Sequence, residues 1–213
     1  MSVDKQKVFK SFSNRQQGII DENLMRRYAV LIPLIELDDE LHMLFEVRAK
    51  HMNRQPGEIC FPGGMVDSSD PSPADAAVRE LCEEVGVEKE YVTLTGNLDR
   101  MISPFNQIIY PYVGFIEDTA PMTPNQEEVD ELFTVPVSFF LNTSPERHDV
   151  YLKVEPASSF PFKYIPGGEN YPWRKGVIPE YFYFYNQYVI WGLTARIIKH
   201  FIEELNIKEK KEK

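Results

Sequence analysis

The pattern of apolar positions near the start of the chain predicts a β-hairpin. Residues 28–36 are rich in aliphatic and β-branched side chains, and residues 41–47 alternate between apolar and polar positions. The acidic residues between these segments, Asp38, Asp39 and Glu40, favour a turn. Two antiparallel strands are therefore expected in this part of the chain.

Later segments predict a mixed sheet with helices beside it. Strands are expected at residues 91–98, 108–116, 151–154 and 181–185. Helical spacing of apolar residues runs through residues 187–205. Residues 155–180 contain five prolines and a Gly-Gly pair, which favours a long ordered loop or a small insertion. The fold class is therefore α/β, with a mixed, partly antiparallel sheet between helices.

The two ends of the chain differ in pattern from its middle. Residues 1–24 predict a short amphipathic helix, with Val8, Phe9 and Phe12 on one side, followed by a polar link, and we expect this helix to pack against the body. The last residues form a run of lysines and glutamates that is typical of a solvated helix end. We therefore divide the chain into an N-terminal helical extension (1–27), one folded domain (28–205) and a charged tail (206–213).

Composition narrows the class of protein. A chain of 213 residues that is 43% hydrophobic and 26% charged is expected to form one globular domain. Its net charge of -10 works against binding nucleic acid or an anionic membrane surface. No apolar run approaches the length that spans a bilayer. A small phosphate ligand stays compatible with this charge if a cation or a few placed arginines assist.

Cysteine and histidine usage argues against a disulfide framework and against a zinc site. Cys60 and Cys82 each lie in a segment that reads as strand or helix, so both are expected to be free thiols. The N-terminus has no apolar core of a secretory signal, and a reducing, cytoplasmic location is expected. The four histidines have no metal-binding spacing and are expected at the surface or in the core: His42, His51, His148 and His200.

The most informative segment is a short helix predicted at residues 73–85. Ser72 is a favourable N-cap, Pro73 suits the first helical position, and Gly86 favours the C-terminal end. Ala77, Val78, Leu81 and Val85 form one apolar stripe that is expected to pack against the sheet.

A second stripe of the same helix carries three carboxylates at positions i, i+3 and i+4, which are Glu80, Glu83 and Glu84. Like charges at this spacing repel one another, so Arg79 and a bound Mg²⁺ or Mn²⁺ are expected to compensate them. The preceding Gly63 and Gly64 allow close approach of the backbone to an ion or a phosphate. The alternative is a solvated glutamate-rich face without function.

The residues around this helix resemble the motif of the Nudix hydrolase family. Residues 79–87 match the family string R-E-U-x-E-E-x-G-U, where U is apolar, at every specified position. Such a string arises by chance in a chain of this length roughly once in ten thousand. Two departures occur, because the segment from Gly64 to Arg79 is one residue longer than usual and Asp70 replaces a glutamate.

Further segments are similar to the branch of this family that hydrolyses coenzyme A. These segments are residues 44–49, 56–67, 103–105, 110–114, 125–131, 135–137 and 189–195. The resemblance therefore covers about residues 28–205. The branch commonly has two basic residues where this chain has Asn53 and Arg54.

The resemblance implies a Nudix α/β/α sandwich and assigns roles to acidic residues. Glu80 and Glu84 are the main expected metal ligands, assisted by Glu83 and the Gly64 carbonyl. Arg79 is the expected orienting partner of this cluster. Glu80 is the first candidate for the general base. The second candidate, as base or extra ligand, is Glu127 or Glu128 of an acidic loop, and each of these two is equally compatible with an ordinary surface charge.

The resemblance also implies a reaction and a set of substrate contacts. The expected enzyme is a metal-dependent diphosphatase that converts coenzyme A to 3',5'-ADP and 4'-phosphopantetheine. Arg48 and Arg54 are candidate phosphate contacts, with Gly63 and Gly64, although arginines here are also compatible with solvated or ion-paired roles.

Two other functions are also compatible with the sequence. One is a Nudix pyrophosphatase for ADP-ribose, NADH, a dinucleoside polyphosphate or an oxidised nucleotide. Another is a non-catalytic Nudix domain that binds a nucleotide. The aromatic residues 181–185 and Trp191 are expected to fill the core, with adenine stacking as the alternative. The expected partner is a small nucleotide substrate, and a homodimer is left open.

Overall fold

The computed structural model describes residues 4–211, and the side chains of residues 4–206. The described part of the chain forms an eight-stranded sheet and a three-stranded sheet. The strands of the larger sheet are β1 (Arg26–Leu37), β2 (Glu40–Arg48), β3 (Ile59–Cys60), β4 (Gly63–Met65), β5 (Val92–Asn97), β6 (Met101–Ser103), β7 (Gln107–Ile116) and β8 (Val129–Pro136). The smaller sheet contains β9 (Glu146–Leu152), β10 (Gly176–Tyr185) and β11 (Tyr188–Trp191). The helices are α1 (Lys5–Phe12), α2 (Pro73–Val85), α3 (Val137–Asn142) and α4 (Gly192–Lys211).

The larger sheet is mixed because its two central strands run parallel. Its main order is β3-β2-β1-β7-β5, with β4 paired to β1, β6 to β7 and β8 to β2. β1 and β7 are parallel, with Leu31 opposite Tyr112, whereas β1 and β2 form the predicted antiparallel hairpin. Parallel neighbours need a crossover connection, and the segment that contains α2 supplies it.

Strand β1 is buried on both faces, so the sheet carries two separate cores. Ala29 and Leu31 belong to a cluster with buried residues of α2. Ile32 and Leu34 belong to a second cluster on the opposite face, which includes buried residues of α3, α4 and the smaller sheet. Helices therefore cover both faces of the sheet, and the predicted α/β/α sandwich is confirmed.

Helix α2 begins and ends where its sequence predicts. The Ser72 side chain accepts a hydrogen bond from the Asp75 amide at 3.3 Å, and Pro73 takes the first turn. Gly86 adopts φ +70°, and a Cβ atom there would lie 1.8 Å from the Thr123 carbonyl oxygen. Only glycine fits this position, because the left-handed conformation and the contact with Thr123 both exclude a side chain.

The strand predictions are confirmed for the long apolar runs, whereas the bounds of other predicted elements differ from those observed. The segments predicted at residues 91–98 and 108–116 form β5 and β7. The predicted helix at residues 187–205 is wrong in its first turn, because residues 188–191 form β11 and α4 begins only at Gly192. The alternation of exposed Val189 and buried Ile190 explains this strand.

The predicted insertion at residues 155–180 is a loop only in part. Residues 155–175 are irregular apart from short 3-10 helices at Phe162–Tyr164 and Gly168–Asn170, whereas Gly176 already begins β10. β9 begins at Glu146, earlier than the predicted strand at residues 151–154. Five strands and a helix were not predicted as such, namely β3, β4, β6, β8, β11 and α3.

The N-terminal helix forms, but it does not pack as expected. Asp4 caps α1 by accepting a hydrogen bond from the Lys7 amide at 2.8 Å. Val8, Phe9 and Phe12 are all exposed, and α1 contains no buried residue. The expectation that its apolar side packs against the body is therefore wrong. At the other end, α4 extends to Lys211, and residues 212–213 of the predicted tail lie outside the described residues.

A helix that spans a membrane must be long and apolar along its length. Within residues 4–211, none of the helices combines the length and the apolar character that a membrane span requires.

Truncation of Leu81 should test the packing of α2 on the sheet. This side chain is fully buried in the cluster between α2 and β1. We expect Leu81→Ala to lower the free energy of unfolding by about 2–5 kcal/mol, because it removes buried apolar contacts and leaves a cavity. Chemical denaturation measures the change, and Phe9→Ala on exposed α1 is the control with an expected change within about 0.5 kcal/mol. Equal effects of the two variants would contradict this description of the core.

Candidate active site

One face of α2 and the turn before β4 border a cleft of about 750 Å³. Several residues that the sequence singles out line this cleft: Glu80, Glu84, Glu128, Arg48, Arg54, Gly63 and Gly64. Three other predicted site residues, Arg79, Glu83 and Glu127, are not among the lining residues. The fold therefore brings together most of the candidate residues from four separate segments.

Glu84 is buried at the base of the cleft. Its side chain is 4% exposed, and its Oε2 atom accepts a hydrogen bond from the Gly63 amide at 2.7 Å. No lysine or arginine forms an ion pair with Glu84 among the described side chains. Burial, together with the nearby charge of Glu46, raises the pKa of Glu84 to about 9. A cation at this position would favour the ionised form.

Glu80 lies against the backbone of Gly64. A Cβ atom on Gly64 would lie 2.3 Å from the Glu80 Oε1 atom, so only glycine leaves room for this carboxylate. Burial raises the pKa of Glu80, and the hydrogen bond from Arg79 opposes this increase. The glycine pair therefore lets the strand approach both carboxylates closely.

Arg79 connects the helix to the preceding loop through several hydrogen bonds. Its Nε and Nη2 atoms donate to the two carboxylate oxygens of Asp70, each at 3.0 Å. Its Nη1 atom donates to Glu80 at 2.9 Å and to Glu83 at 3.0 Å, and Nη2 also donates to the Met65 carbonyl at 3.3 Å. This fork geometry holds the Glu80 carboxylate in place.

Asp70 also belongs to this network, although the sequence motif assigned it no role in the site. The bidentate hydrogen bonds from Arg79 lower the pKa of Asp70, and the Asp67 amide donates a further bond at 2.8 Å. The one-residue extension before Arg79 and the change from glutamate to aspartate therefore still allow this pair to form.

The structure separates the two acidic loop candidates. Glu127 is 89% exposed and faces His51, with 3.8 Å between Oε2 and Nε2. Glu128 lines the cleft, and its backbone is fixed by hydrogen bonds to Asn125 at 2.9 Å and to Ala49 at 2.8 Å. The Asn125 amide in turn bonds the Glu84 carbonyl at 3.0 Å, so the acidic loop is tied to the end of α2.

The two candidate phosphate contacts, Arg48 and Arg54, both line the cleft. Arg48 ends β2, and its Nε atom is buried without a hydrogen-bond partner among the described residues. Arg54 is in the loop that follows. Neither arginine forms an ion pair within the part of the chain that the structure describes, which leaves both guanidinium groups available for an anion.

Glu46 is a buried carboxylate that sequence analysis missed. This β2 residue is 1% exposed, and its Oε1 atom accepts a hydrogen bond from the Cys60 thiol at 3.1 Å. Burial raises the pKa of Glu46 to about 7 and raises that of the Cys60 thiol as well. The available signal was a single glutamate between Phe45 and Val47 in an apolar strand.

The structure agrees with the sequence prediction for the cysteines and differs from it for one aromatic residue. Cys60 and Cys82 are free, as expected. His200 lies near Asp99, with 3.3 Å between Nε2 and Oδ2, at the surface and apart from the cleft lining. Trp191 is not a core residue, because it is partly exposed, stacks on Phe182 at 5.7 Å and lines the cleft.

Known proteins share recognisable sequence similarity with this chain. Residues 25–153 match the NUDIX domain family model. The chain is 36% identical over 116 residues to mouse peroxisomal coenzyme A diphosphatase NUDT7, an alignment that covers 54% of this chain and 49% of the mouse protein. The chain thus spans about half of the length of that relative.

A bacterial relative and a solved structure match over more of the chain. The chain is 32% identical to the Nudix hydrolase NudL of Enterobacter sp. (strain 638) over 183 residues, with 86% of this chain and 84% of the relative covered. A MutT/nudix family protein from Enterococcus faecalis has a similar structure, with a TM-score of 0.47, 16% identity and coverage of 96% and 70% of the two chains. The chain belongs to the Nudix hydrolase family. It is therefore a hydrolase, and this prediction is confirmed.

The metal-free protein should become less stable as pH rises. In the folded state Glu84 and Glu46 keep their protons up to pH values of about 9 and about 7, whereas glutamate in an unfolded chain ionises near 4.5. The folded state then binds more protons than the unfolded state above about pH 4.5, so the free energy of unfolding falls with pH by at most about 1.4 kcal/mol per unit for each group. The decrease due to each group ends at its folded pKa.

Urea unfolding in EDTA between about pH 5 and pH 8 measures this dependence. Glu84→Gln should be more stable than the unmodified protein at the upper end of the range, with a shallower slope, because the amide does not ionise. Glu88→Gln, at an exposed position just beyond α2, should retain the original slope. A Glu84→Gln slope equal to that of the unmodified protein would exclude Glu84 as the titrating group.

Proposed function

We propose that this Nudix hydrolase cleaves the diphosphate linkage of coenzyme A or its derivatives, and that it uses Mg²⁺ or Mn²⁺. The products are 3',5'-ADP and 4'-phosphopantetheine, or its acyl form. The observation that carries this proposal is the convergence of Glu80, Glu84 and Glu128 on a cleft that also contains Arg48 and Arg54. Carboxylates and guanidinium groups on one cleft suit cations and a phosphate-rich ligand together.

The carboxylates fit a hard divalent cation. Glu84 is buried, and among the side chains that the structure describes its carboxylate has one hydrogen-bond partner, the Gly63 amide, and no ion-pair partner. Glu80 and the Gly64 carbonyl complete an all-oxygen donor set of the kind that Mg²⁺ and Mn²⁺ prefer. Glu83 is the weakest proposed ligand, because it bonds Arg79 away from the cleft lining. When bound, such ions neutralise charge on phosphoryl oxygens and lower the pKa of bound water.

Residues at the cleft also have proposed roles in proton transfer and in phosphate binding. Glu80 is our first candidate for the base that takes a proton from the attacking water, because its raised pKa lies closer to neutral pH than that of an ordinary glutamate. Glu128 is the second candidate, and it is favoured over Glu127 because Glu127 faces away from the cleft. Arg79 positions Glu80, while Arg48 and Arg54 bind the substrate phosphates.

The shape of the cleft favours coenzyme A over shorter nucleotides. The cleft continues into a shallow groove, with which it shares Ser103, Pro104, Ile178 and Arg196. The other residues of this groove are mainly apolar, namely Ile102, Leu152, Val177 and Pro179. A pantetheine arm, or an acyl chain attached to it, has the length and apolar character to follow this path. The similarity to the mouse coenzyme A diphosphatase supports the same choice.

The location that we propose is a reducing, cytoplasmic one, since Cys60 and Cys82 are both unpaired thiols.

Product analysis should identify the substrate. Incubation of coenzyme A with the protein and Mg²⁺ is expected to yield 3',5'-ADP, which chromatography with mass detection identifies. A panel of coenzyme A, an acyl-coenzyme A, ADP-ribose, NADH, a dinucleoside polyphosphate and an oxidised nucleotide then compares kcat/KM under identical conditions. Turnover of ADP-ribose equal to or better than that of coenzyme A would refute the choice of substrate while leaving the Nudix chemistry in place.

Substitution of Glu84 tests whether turnover depends on the proposed metal site. We expect Glu84→Gln to reduce kcat/KM by roughly 100-fold or more, because even changes next to metal ligands weaken metal binding by roughly 10- to 100-fold. Circular dichroism should show an unchanged fold, since the amide has nearly the same shape. Glu88→Gln should retain full activity. Unchanged turnover in Glu84→Gln would dismiss the metal-site assignment.

A further inference from the structure

Glu46 has no evident structural reason to be a carboxylate. It lies on the central part of the larger sheet, 1% exposed, among apolar neighbours on β2. Its Oε1 atom accepts the Cys60 thiol hydrogen bond, whereas its Oε2 atom has no hydrogen-bond partner within the described residues. Buried polar atoms in proteins almost always have a partner, so an exception of this kind points to a group that binds there.

Among the described residues, the Glu46 Oε2 atom lacks a hydrogen-bond partner in either protonation state of the carboxyl group. If the carboxylate is ionised, Oε2 needs a donor or a cation, and if it is protonated on Oε2, the O–H group needs an acceptor. Arg48 follows two residues later on the same strand, but the two side chains form no ion pair, and the Arg48 Nε atom is itself buried without a partner. Arg48 therefore lowers the pKa of Glu46 through its charge but does not supply a hydrogen-bond partner for Oε2.

The position of Glu46 connects it with the proposed metal site. Cys60, its hydrogen-bond partner, lies opposite Glu46 in the pairing of β2 with β3 and also lines the cleft. Among the charged groups that raise the pKa of Glu84, Glu46 has the largest effect, so the two carboxyl groups face the same region of the buried interior. Two buried carboxyl groups are unfavourable when both are ionised, and either protonation or a bound cation relieves this cost.

We propose that Glu46 supplies a further carboxylate oxygen to a divalent cation held with Glu84 on the buried side of the cleft. This inference rests on the proposed function, because it assumes that Glu84 binds such a cation. It adds a ligand from the central sheet to those of α2, outside the motif that defines the family. The cation accounts for the unpartnered Oε2 atom of Glu46.

A Mn²⁺ titration followed by electron paramagnetic resonance tests this proposal without relying on activity. The proteins compared are the unmodified chain, Glu46→Gln, Glu84→Gln and Cys60→Ala. Glu46→Gln keeps the shape of the side chain but removes its charge, and we expect it to weaken Mn²⁺ binding by roughly 10- to 100-fold. Cys60→Ala removes the thiol bonded to Glu46 and is expected to retain the Mn²⁺ affinity of the unmodified protein.

Thermal unfolding with and without Mn²⁺ gives a second readout. In EDTA, Glu46→Gln should melt at a temperature equal to or higher than that of the unmodified protein, because a buried charge has been removed. The increase in melting temperature on adding Mn²⁺ should be much smaller in Glu46→Gln than in the unmodified protein. A purely structural Glu46 would show the opposite pattern, namely a lower melting temperature in EDTA and an unchanged response to Mn²⁺.

The outcomes distinguish this inference from the proposed function. Unchanged Mn²⁺ affinity in Glu46→Gln, with weakened binding in Glu84→Gln, would overturn the role of Glu46 alone. Equal loss of affinity in Cys60→Ala and Glu46→Gln would assign the effect to support of the strand pairing and would also overturn it. An unmodified protein that binds no Mn²⁺ would remove both the inference and the metal-dependent part of the proposed function.

Discussion

The burial of carboxylates between α2 and the central sheet is the constraint on which the site depends. A glutamate side chain loses its hydration when it is buried, and this loss is costly unless a partner replaces the water. Glu84 receives one hydrogen bond from the Gly63 amide, and Glu80 receives one from Arg79. These interactions restrict the carboxylates to one wall of the cleft, while their raised pKa values show that they are not fully compensated.

The two sides of α2 explain how such a site coexists with a stable fold. Leu81 and Val85 are fully buried against the sheet, where they secure the helix by apolar packing. Arg79 secures the other side through Asp70 and the Met65 carbonyl, in the loop before the helix. Since the helix is held from both sides, its unfavourable acidic stripe stays in place without rearranging to reach solvent.

The rest of the cleft is built by segments far away in sequence. The smaller sheet contributes Ile178 and Trp191, and the start of α4 contributes Thr194, which donates a hydrogen bond to the Ile59 carbonyl at 3.2 Å. The acidic loop reaches the cleft because its backbone bonds the end of α2. The acidic face of α2 is thus combined with walls that differ in chemistry, one carrying arginines and another largely apolar.

The sequence by itself determined the hairpin, the bounds of α2, the motif residues and the family, because these depend on local periodicity, capping and spacing along the chain. Glu80 and Glu84 stand at i and i+4 on any helix, so their common face follows from the sequence alone. Only the tertiary structure placed Glu128, and not Glu127, on the cleft, showed that Trp191 is partly exposed and revealed the buried Glu46. These depend on which strands pair and which loops meet, and contacts between distant segments leave no periodic pattern in the chain. The smaller sheet and the exposure of the apolar side of α1 also depend on tertiary contacts. Short strands and terminal helices owe most of their stability to packing against other elements, and the sequence of such a segment does not show which elements it contacts.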